Sequence, residues 1–235
     1  MSIQKNNIKV ISIIPARGGS KGVPRKNIRD VAGKPLMAWT IEASLASPSV
    51  TKTIVSTDDQ EIATIAKQFG AEVIMRPDEF ATDTAPTEQA ITHVLETLEA
   101  RGETFDYELL LQPTCPTRNA HHIEEAIKII VEGGYDSLVG VEQITKYRYE
   151  LKEDGQLGKC WSERKRRQER DPVYLENGTI YLTKAHIAKA GDLFGETTGA
   201  LVMDHDSSIN IDDELDLEVA TATINRLHAA KKVLA

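Results

Sequence analysis

Strand-length apolar runs alternate along this chain with segments of helical periodicity, and that alternation narrows the possible folds more than any other feature. Residues 9–14 read as a strand, and 36–45 carry helical spacing. Further strands are expected at 53–56, 72–75, 108–111 and 137–141, with helices at 60–69, 87–100 and 121–131 between them. Thr57-Asp58-Asp59 supplies capping side chains ahead of 60–69, and Ile91, Val94, Leu95 and Leu98 share one face of 87–100. Such repetition argues an α/β fold, a mostly parallel sheet with helices on both faces. The rhythm breaks at 142–176, a polar stretch holding Tyr147, Tyr149 and Trp161 and ending in a basic run at 164–170. It reads as a strand-rich arm projecting from a single domain that spans residues 1–235. Core strands resume at 178–182 and 200–203, and a helix over about 214–232 closes the chain.

Bulk properties exclude several function classes. A formal net charge of −8 over 235 residues argues against a general binder of nucleic acid or anionic membrane. Cys115 and Cys160 are the only cysteines and lack C-x-x-C spacing, which suggests a reducing compartment rather than a disulfide scaffold. No signal-peptide core or membrane-length apolar run is present, so a soluble cytoplasmic protein is expected. The six histidines show no ligand spacing, and a zinc site is not expected.

The first strand empties into Pro15-Ala16-Arg17-Gly18-Gly19-Ser20-Lys21-Gly22-Val23-Pro24-Arg25-Lys26-Asn27. Glycines let a backbone approach phosphate closely, and their N–H groups can form an anion-binding nest. Arg17, Lys21, Arg25 and Lys26 add a fork-shaped guanidinium chemistry and mobile ammonium groups suited to a triphosphate. The spacing is neither G-x-x-x-x-G-K-[ST] nor G-x-G-x-x-G, so a P-loop and a dinucleotide fingerprint are both excluded. The plainer alternative is a glycine turn with surface cations beside it. Other polar motifs follow later strands: Asp58 the second, Arg76 the third, and 112–118 the fourth. Open α/β sheets bind ligands at such strand ends.

Ala16 to Gly22, followed by Lys26-Asn27 and Gly33-Lys34-Pro35-Leu36, resembles the signature of the acylneuraminate cytidylyltransferases, the CMP-sialic acid synthetases. The resemblance extends from Ile13 to Leu217. It implies a Rossmann-like nucleotidyltransferase fold and a homodimer whose arms exchange between subunits. The reaction it implies joins CTP to a nine-carbon 2-keto-3-deoxy sugar acid, releasing pyrophosphate. The product is an activated sugar for cell-surface glycans. Ala16, Arg17, Gly18, Gly19, Ser20, Lys26 and Asn27 would contact the nucleotide, with Arg17 and Lys21 serving catalysis. Arg76 and Thr87 match the base-recognition region; capping of the next helix by 82–87 is the plainer role and is compatible with it.

Leu111-Gln112-Pro113-Thr114-Cys115-Pro116-Thr117-Arg118 resembles the family's Leu-Gln-Pro-Thr-Ser-Pro-x-Arg element, placing Gln112 near the sugar. Cys115 stands where relatives carry Ser and reads as a buried filler, not a nucleophile. Arg167, Gln168, Asn177 and Tyr181 match sugar-binding positions of the arm region, while most of 164–170 reads as a solvated charged face. Asp206 to Asp216 resembles a segment whose first two aspartates hold Mg²⁺; here the first is Asn210 and the second Asp212. One Mg²⁺ on Asp212 is the expectation, with Asn210 an uncharged donor that leaves a second metal poorly supplied. Capping of the last helix is the alternative role for Asp212 or Asp213. Two rival readings remain at this stage: a Kdo-type cytidylyltransferase of the eight-carbon sugar acid, and a non-catalytic CTP-binding relative.

Overall fold

A computed structural model describes residues 8–19, 22–82 and 84–234. The elements are β1 (Val10–Pro15), β2 (Asp30–Val31), β3 (Lys34–Pro35), α1 (Leu36–Leu45), β4 (Val50–Thr57), α2 (Gln60–Gln68) and β5 (Glu72–Met75). They continue as α3 (Thr87–Glu99), β6 (Tyr107–Leu110), α4 (Ala120–Gly133), β7 (Ser137–Ile144), β8 (Tyr149–Leu151) and β9 (Leu157–Lys159). The chain ends with β10 (Val173–Lys184), α5 (Ala185–Lys189), β11 (Thr198–Met203) and α6 (Glu214–Leu234).

Seven strands form the central sheet in the order β11-β7-β10-β6-β1-β4-β5. Only β10 runs against the rest, pairing antiparallel with both β6 and β7. The expected α/β fold is therefore borne out, with one reversed strand that the alternation did not announce. A strand fully buried on both sides reads alike in either direction, and its direction follows from how the arm returns the chain.

Alternation along β1 shows why both faces are covered. Val10 and Ile14 pack with Met37 and Ile41 of α1, Ile62 of α2 and Ile127 of α4. Ile11 and Ile13 point the other way, to Ile91, Val94 and Leu98 of α3 and Ala188 of α5. A smaller cluster joins α6, through Ala220 and Ile224, to Val31, Leu36 and Ile211. The α2 N-terminus is capped by Asp59, whose side chain accepts from the N–H groups of Glu61 and Ile62. Short elements escape periodicity. The β2–β3 hairpin turns on Ala32 (φ 53°) and Gly33 (φ 93°), the left-handed pair of a two-residue hairpin loop.

Six parallel strands point their carboxyl ends to one rim. At that rim β7 and β10 continue past the sheet as a ribbon, pairing Val173 with Ile144 and Glu176 with Val141. The small β8–β9 hairpin completes the projection. Gly178 (φ 72°) lies where the β10 register slips, between Glu176 and Tyr181. Among the described residues no helix is long and apolar enough to cross a membrane.

Candidate active site

The rim of carboxyl ends opens into a cleft of about 470 Å³, and loops from opposite ends of the chain meet there. Arg17, Lys26, Asn27, Arg76, Thr87, Gln112 and Asp212, each singled out from sequence, all line it. Ser20 and Lys21 lie outside the described residues.

Loop 16–27 is tied down on both sides. Ala16 is buried, and its N–H donates to Ser56 O. The Gly18 N–H donates to Asp58 Oδ1 at 3.1 Å. A Cβ on Gly18 would come within 2.7 Å of Asp59 Oδ2, so only glycine permits that approach, whereas Gly19 stands in open space. Buried Asn27 donates through Nδ2 to Arg17 O at 2.9 Å, fixing the turn from within. Arg17 Nη1 donates to Thr82 O at 2.8 Å, which joins the phosphate loop to the segment before α3. Arg25 does not face the cleft chemistry. Its guanidinium pairs with Asp59 and Glu61 at the start of α2, and this pairing holds the Asp59 carboxyl below the usual carboxylate range.

Lys26 and Asp212 connect the two ends of the chain. Lys26 Nζ donates to Ile211 O at 2.7 Å and lies 3.9 Å from Asp212 Oδ1. A Cβ on Gly22 would sit 2.5 Å from Asp212 O, so the glycine loop and the 211–212 turn are in van der Waals contact. Asp213 is the capping residue. Its Oδ1 accepts from the Asp216 N–H at 3.0 Å, while Asp216 Oδ2 accepts from the N–H groups of Asp213 at 3.1 Å and Asp212 at 2.9 Å. That reciprocal cap leaves the Asp212 side chain, 78% exposed, to the cleft.

Arg76 is buried and committed to backbone: Nη2 donates to Ser56 O at 3.0 Å and Nη1 to Phe80 O at 3.2 Å. Burial pulls its pKa below the ordinary arginine value. Among the described residues no side chain caps α3, which starts after Pro86, and Thr87 sits at the helix start on the cleft lining.

The floor beyond Gln112 is knitted by Cys115. Its Sγ lies 3.6 Å from Asn177 O and 3.7 Å from Asn210 Oδ1, so three loops meet on one thiol. Burial pushes that thiol up to about 11, which suits filler rather than nucleophile. Asn177 is equally absorbed, accepting from Thr179 N and Oγ1 and donating to Ser208 Oγ at 3.0 Å. Gly178 lies against Gln112, since a Cβ there would be 3.1 Å from Gln112 Oε1. Tyr181 is half-buried on β10 and donates to Glu176 Oε2 at 3.2 Å; burial and that carboxylate raise its pKa. Arg167 and Gln168 sit on a single helical turn of the arm, Arg167 Nε donating to Thr145 Oγ1 at 3.4 Å. None of Asn177, Tyr181, Arg167 and Gln168 lines the cleft of one chain.

A divalent cation fits Asp212 better than Asn210. Hard cations take carboxylate and phosphate oxygens, and the Asp212 carboxylate lines the cleft, whereas the Asn210 amide oxygen faces a thiol. Among the described residues no group of three or more His, Cys, Asp and Glu side chains could hold a metal by itself.

One residue has more weight in the structure than its sequence suggested. Arg118 is buried, donating to Thr179 O at 2.6 Å and Thr40 Oγ1 at 2.7 Å, and burial lowers its pKa to about 10. Its place at the end of the 112–118 motif was the only sequence signal.

A family model described as Cytidylyltransferase matches residues 11–222, nearly the whole sheet and every loop of the cleft. The chain belongs to the cytidylyltransferase family. Among its curated relatives, the N-acylneuraminate cytidylyltransferase of Escherichia coli O18:K1:H7 is 37% identical over 218 residues, covering 90% of this chain and 51% of that protein. The CMP-N,N'-diacetyllegionaminic acid synthase of Legionella pneumophila is 36% identical over 217 residues, covering 89% and 93%. N-acylneuraminate cytidylyltransferase A of Danio rerio is 33% identical, covering 92% and 51%. The chain thus spans about half the length of the Escherichia coli and Danio rerio relatives and nearly all of the Legionella one.

A solved CMP:2-keto-3-deoxy-manno-octonic acid synthetase complexed with CTP superposes with a TM-score of 0.71 at 17% identity, covering 93% of this chain and 99% of the other. The 4-diphosphocytidyl-2C-methyl-D-erythritol synthase of Anaerococcus prevotii gives 0.71 at 13% identity, covering 94% and 97%. At those identities the likeness concerns the fold. The resemblance drawn from the glycine loop, Gln112 and Asp212 motifs is borne out.

Proposed function

We propose that this chain transfers CMP from CTP to a nonulosonic acid, a nine-carbon 2-keto-3-deoxy acid of the sialic type, releasing pyrophosphate. The observation that carries the reading is the convergence of Arg17, Lys26 and Asn27 with Asp212 and Gln112 on one cleft. The anomeric hydroxyl oxygen forms the new bond to the α-phosphorus, the bond to pyrophosphate breaks in line, and the hydroxyl proton passes to solvent. Such a transfer asks the protein chiefly for positioning and charge. Arg17, Lys21 and Lys26 hold the triphosphate and offset the charge on leaving pyrophosphate. The glycine loop, with Ala16, Gly18, Gly19 and Ser20, offers backbone donors. Asn27 holds the loop's shape, Arg76 and Thr87 read the cytosine edge, and Gln112 orients the sugar acid. Mg²⁺ held by Asp212 would add positive charge on the phosphate oxygens, with Asn210 at most a weak second donor.

Residues 1–235 act as one catalytic unit, and residues 142–176 form an arm reaching a second copy in a homodimer. The support is that Arg167 and Gln168 do not line their own chain's cleft, while Leu151 is 71% and Leu157 63% exposed on the arm. Tyr181 and Asn177 complete the sugar side from β10. Two free cysteines fit a reducing, cytoplasmic compartment.

The test is pyrophosphate release from CTP and Mg²⁺ across sialic, legionaminic and pseudaminic acids together with Kdo. Release with a nonulosonic acid is expected. Release with Kdo alone would move the assignment to the eight-carbon sugar, and CTP binding without release across the panel would point to a non-catalytic relative.

A further inference from the structure

Acidic residues outnumber Lys and Arg in this chain by 36 to 28, so carboxylates are available to pair with its cations. Arg25, Arg29, Lys34 and Lys52 each have one within ion-pair distance. Arg76, a buried guanidinium of the cleft, has the Asp58 carboxylate acting on it. Arg118 differs. It is 3% exposed, against 8% for Arg76, and has no carboxylate within ion-pair distance among the described residues.

Its three acceptors are all neutral: Thr179 O of β10 at 2.6 Å, Thr40 Oγ1 of α1 at 2.7 Å and Gln112 O at 3.4 Å. Nε is buried with no partner among the described residues. Holding three segments together requires donors, which a neutral side chain can supply, and does not require a charge. Taking a guanidinium out of water with no counter-ion is costly, and a pKa lowered to about 10 still leaves it protonated at neutral pH. Arg118 lies behind the loop whose Gln112, Pro113 and Thr114 line the cleft. Asp212 is the one acid on that lining among the described residues, and Lys26 stands 3.9 Å from it. A charge in such a low-dielectric setting is screened less than one at the surface, so its field reaches the cleft floor. What compensates it is an anion arriving in the cleft.

We infer that Arg118 is a positioning residue for the sugar acid, its uncompensated charge drawing the substrate carboxylate to the Gln112 side of the cleft. The inference rests on the reaction proposed above. Arg118 is too deeply buried to touch the substrate and acts through the loop in front of it, where its bond to Gln112 O also steadies the Gln112 backbone.

Wild type, Arg118→Lys and Arg118→Gln are compared in the pyrophosphate-release assay, with N-acetylneuraminate or whichever acid of the panel the wild type uses. Both replacements lose the guanidinium fork, and only lysine keeps the charge. The KM for the acid should rise about tenfold in Arg118→Gln and stay within about threefold of wild type in Arg118→Lys, with the KM for CTP within about threefold in both. The methyl ester of the same acid, used as a competitive inhibitor, carries no charge and should bind wild type and Arg118→Gln within about twofold of each other. Equal losses in the two variants that follow a shared fall in melting temperature would make Arg118 a structural strap and overturn the inference. An ester weakened as much as the acid does the same. Should Arg118→Gln fail to fold, Thr40→Val removes one acceptor of the fork and leaves the charge. An acid KM within about threefold of wild type is then expected, and a tenfold rise assigns the role to the fork and overturns the charge. Silence of the wild type across the panel overturns both this inference and the reaction it rests on. A working wild type with an unchanged acid KM in Arg118→Gln overturns this inference alone.

Discussion

Asp212 and Asp213 are neighbours with the same side chain, and hydrogen bonding separates their roles. Asp213 and Asp216 cap each other across the first turn of α6, which leaves the Asp212 carboxylate beside Lys26 in the cleft. Asp212→Ala is accordingly expected to lower kcat roughly a hundredfold or more, with an unchanged urea midpoint. Asp213→Ala should instead cost about 1 kcal/mol of stability, read from the same denaturation curve, and leave kcat within a few-fold. Sequence alone could name both candidates but could not choose, because either aspartate has the spacing to cap. The two cysteines are split in the same way by burial. Cys115 is buried and its thiol is pushed up to about 11, while Cys160 is exposed. Iodoacetamide at neutral pH should therefore add one equivalent to the native protein, at Cys160, and a second only after unfolding; early labelling of Cys115 by peptide mass mapping would contradict the packing described.

At the scale of elements, β6 carries the least expected residue. Glu108 is fully buried opposite Ile11 and Thr183, both carboxyl oxygens lack partners among the described residues, and desolvation raises its pKa well above the ordinary value of 4.5. The folded protein therefore holds a proton that the unfolded chain has released, so stability from this group falls as pH rises above the unfolded value. Glu108→Gln removes that dependence. Its melting temperature relative to wild type should climb between about pH 5 and pH 8, with little difference near pH 4, where both states of Glu108 are protonated. A flat difference across that range would place the carboxyl in contact with a partner.

Elements longer than a few residues were legible because their periodicity records which face is buried. The helix at 36–45, the strand at 72–75 and the start of α3 at Thr87 fall where the pattern put them. The β2–β3 hairpin, the five-residue α5 and the reversed direction of β10 were not legible. Two-residue strands have no period, and direction is a property of the path between strands.

Over the whole molecule, the arm is the part whose surface asks for a neighbour. Leu151 and Leu157 on the β8–β9 hairpin are exposed, as are Tyr149 and Tyr174. Replacing Leu151 and Leu157 by Glu should shift the protein from dimer to monomer in sedimentation velocity, because burying a charge at an apolar contact is unfavourable. If the wild type itself sediments as a monomer at micromolar concentration, the arm-exchange proposal fails. Chemistry-bearing residues were readable in the sequence wherever a short motif fixes local backbone, as in the glycine loop, Gln112 in its proline-flanked turn, and the aspartates before α6. Those motifs, with the alternation of strand and helix, determined the fold class and the family. Only tertiary structure brought Lys26 against Asp212, turned Arg25 away to Asp59, and closed Cys115 over Asn177 and Asn210. Local patterns report what each segment buries, whereas a contact between residues 26 and 212 depends on the course of all the strands between them.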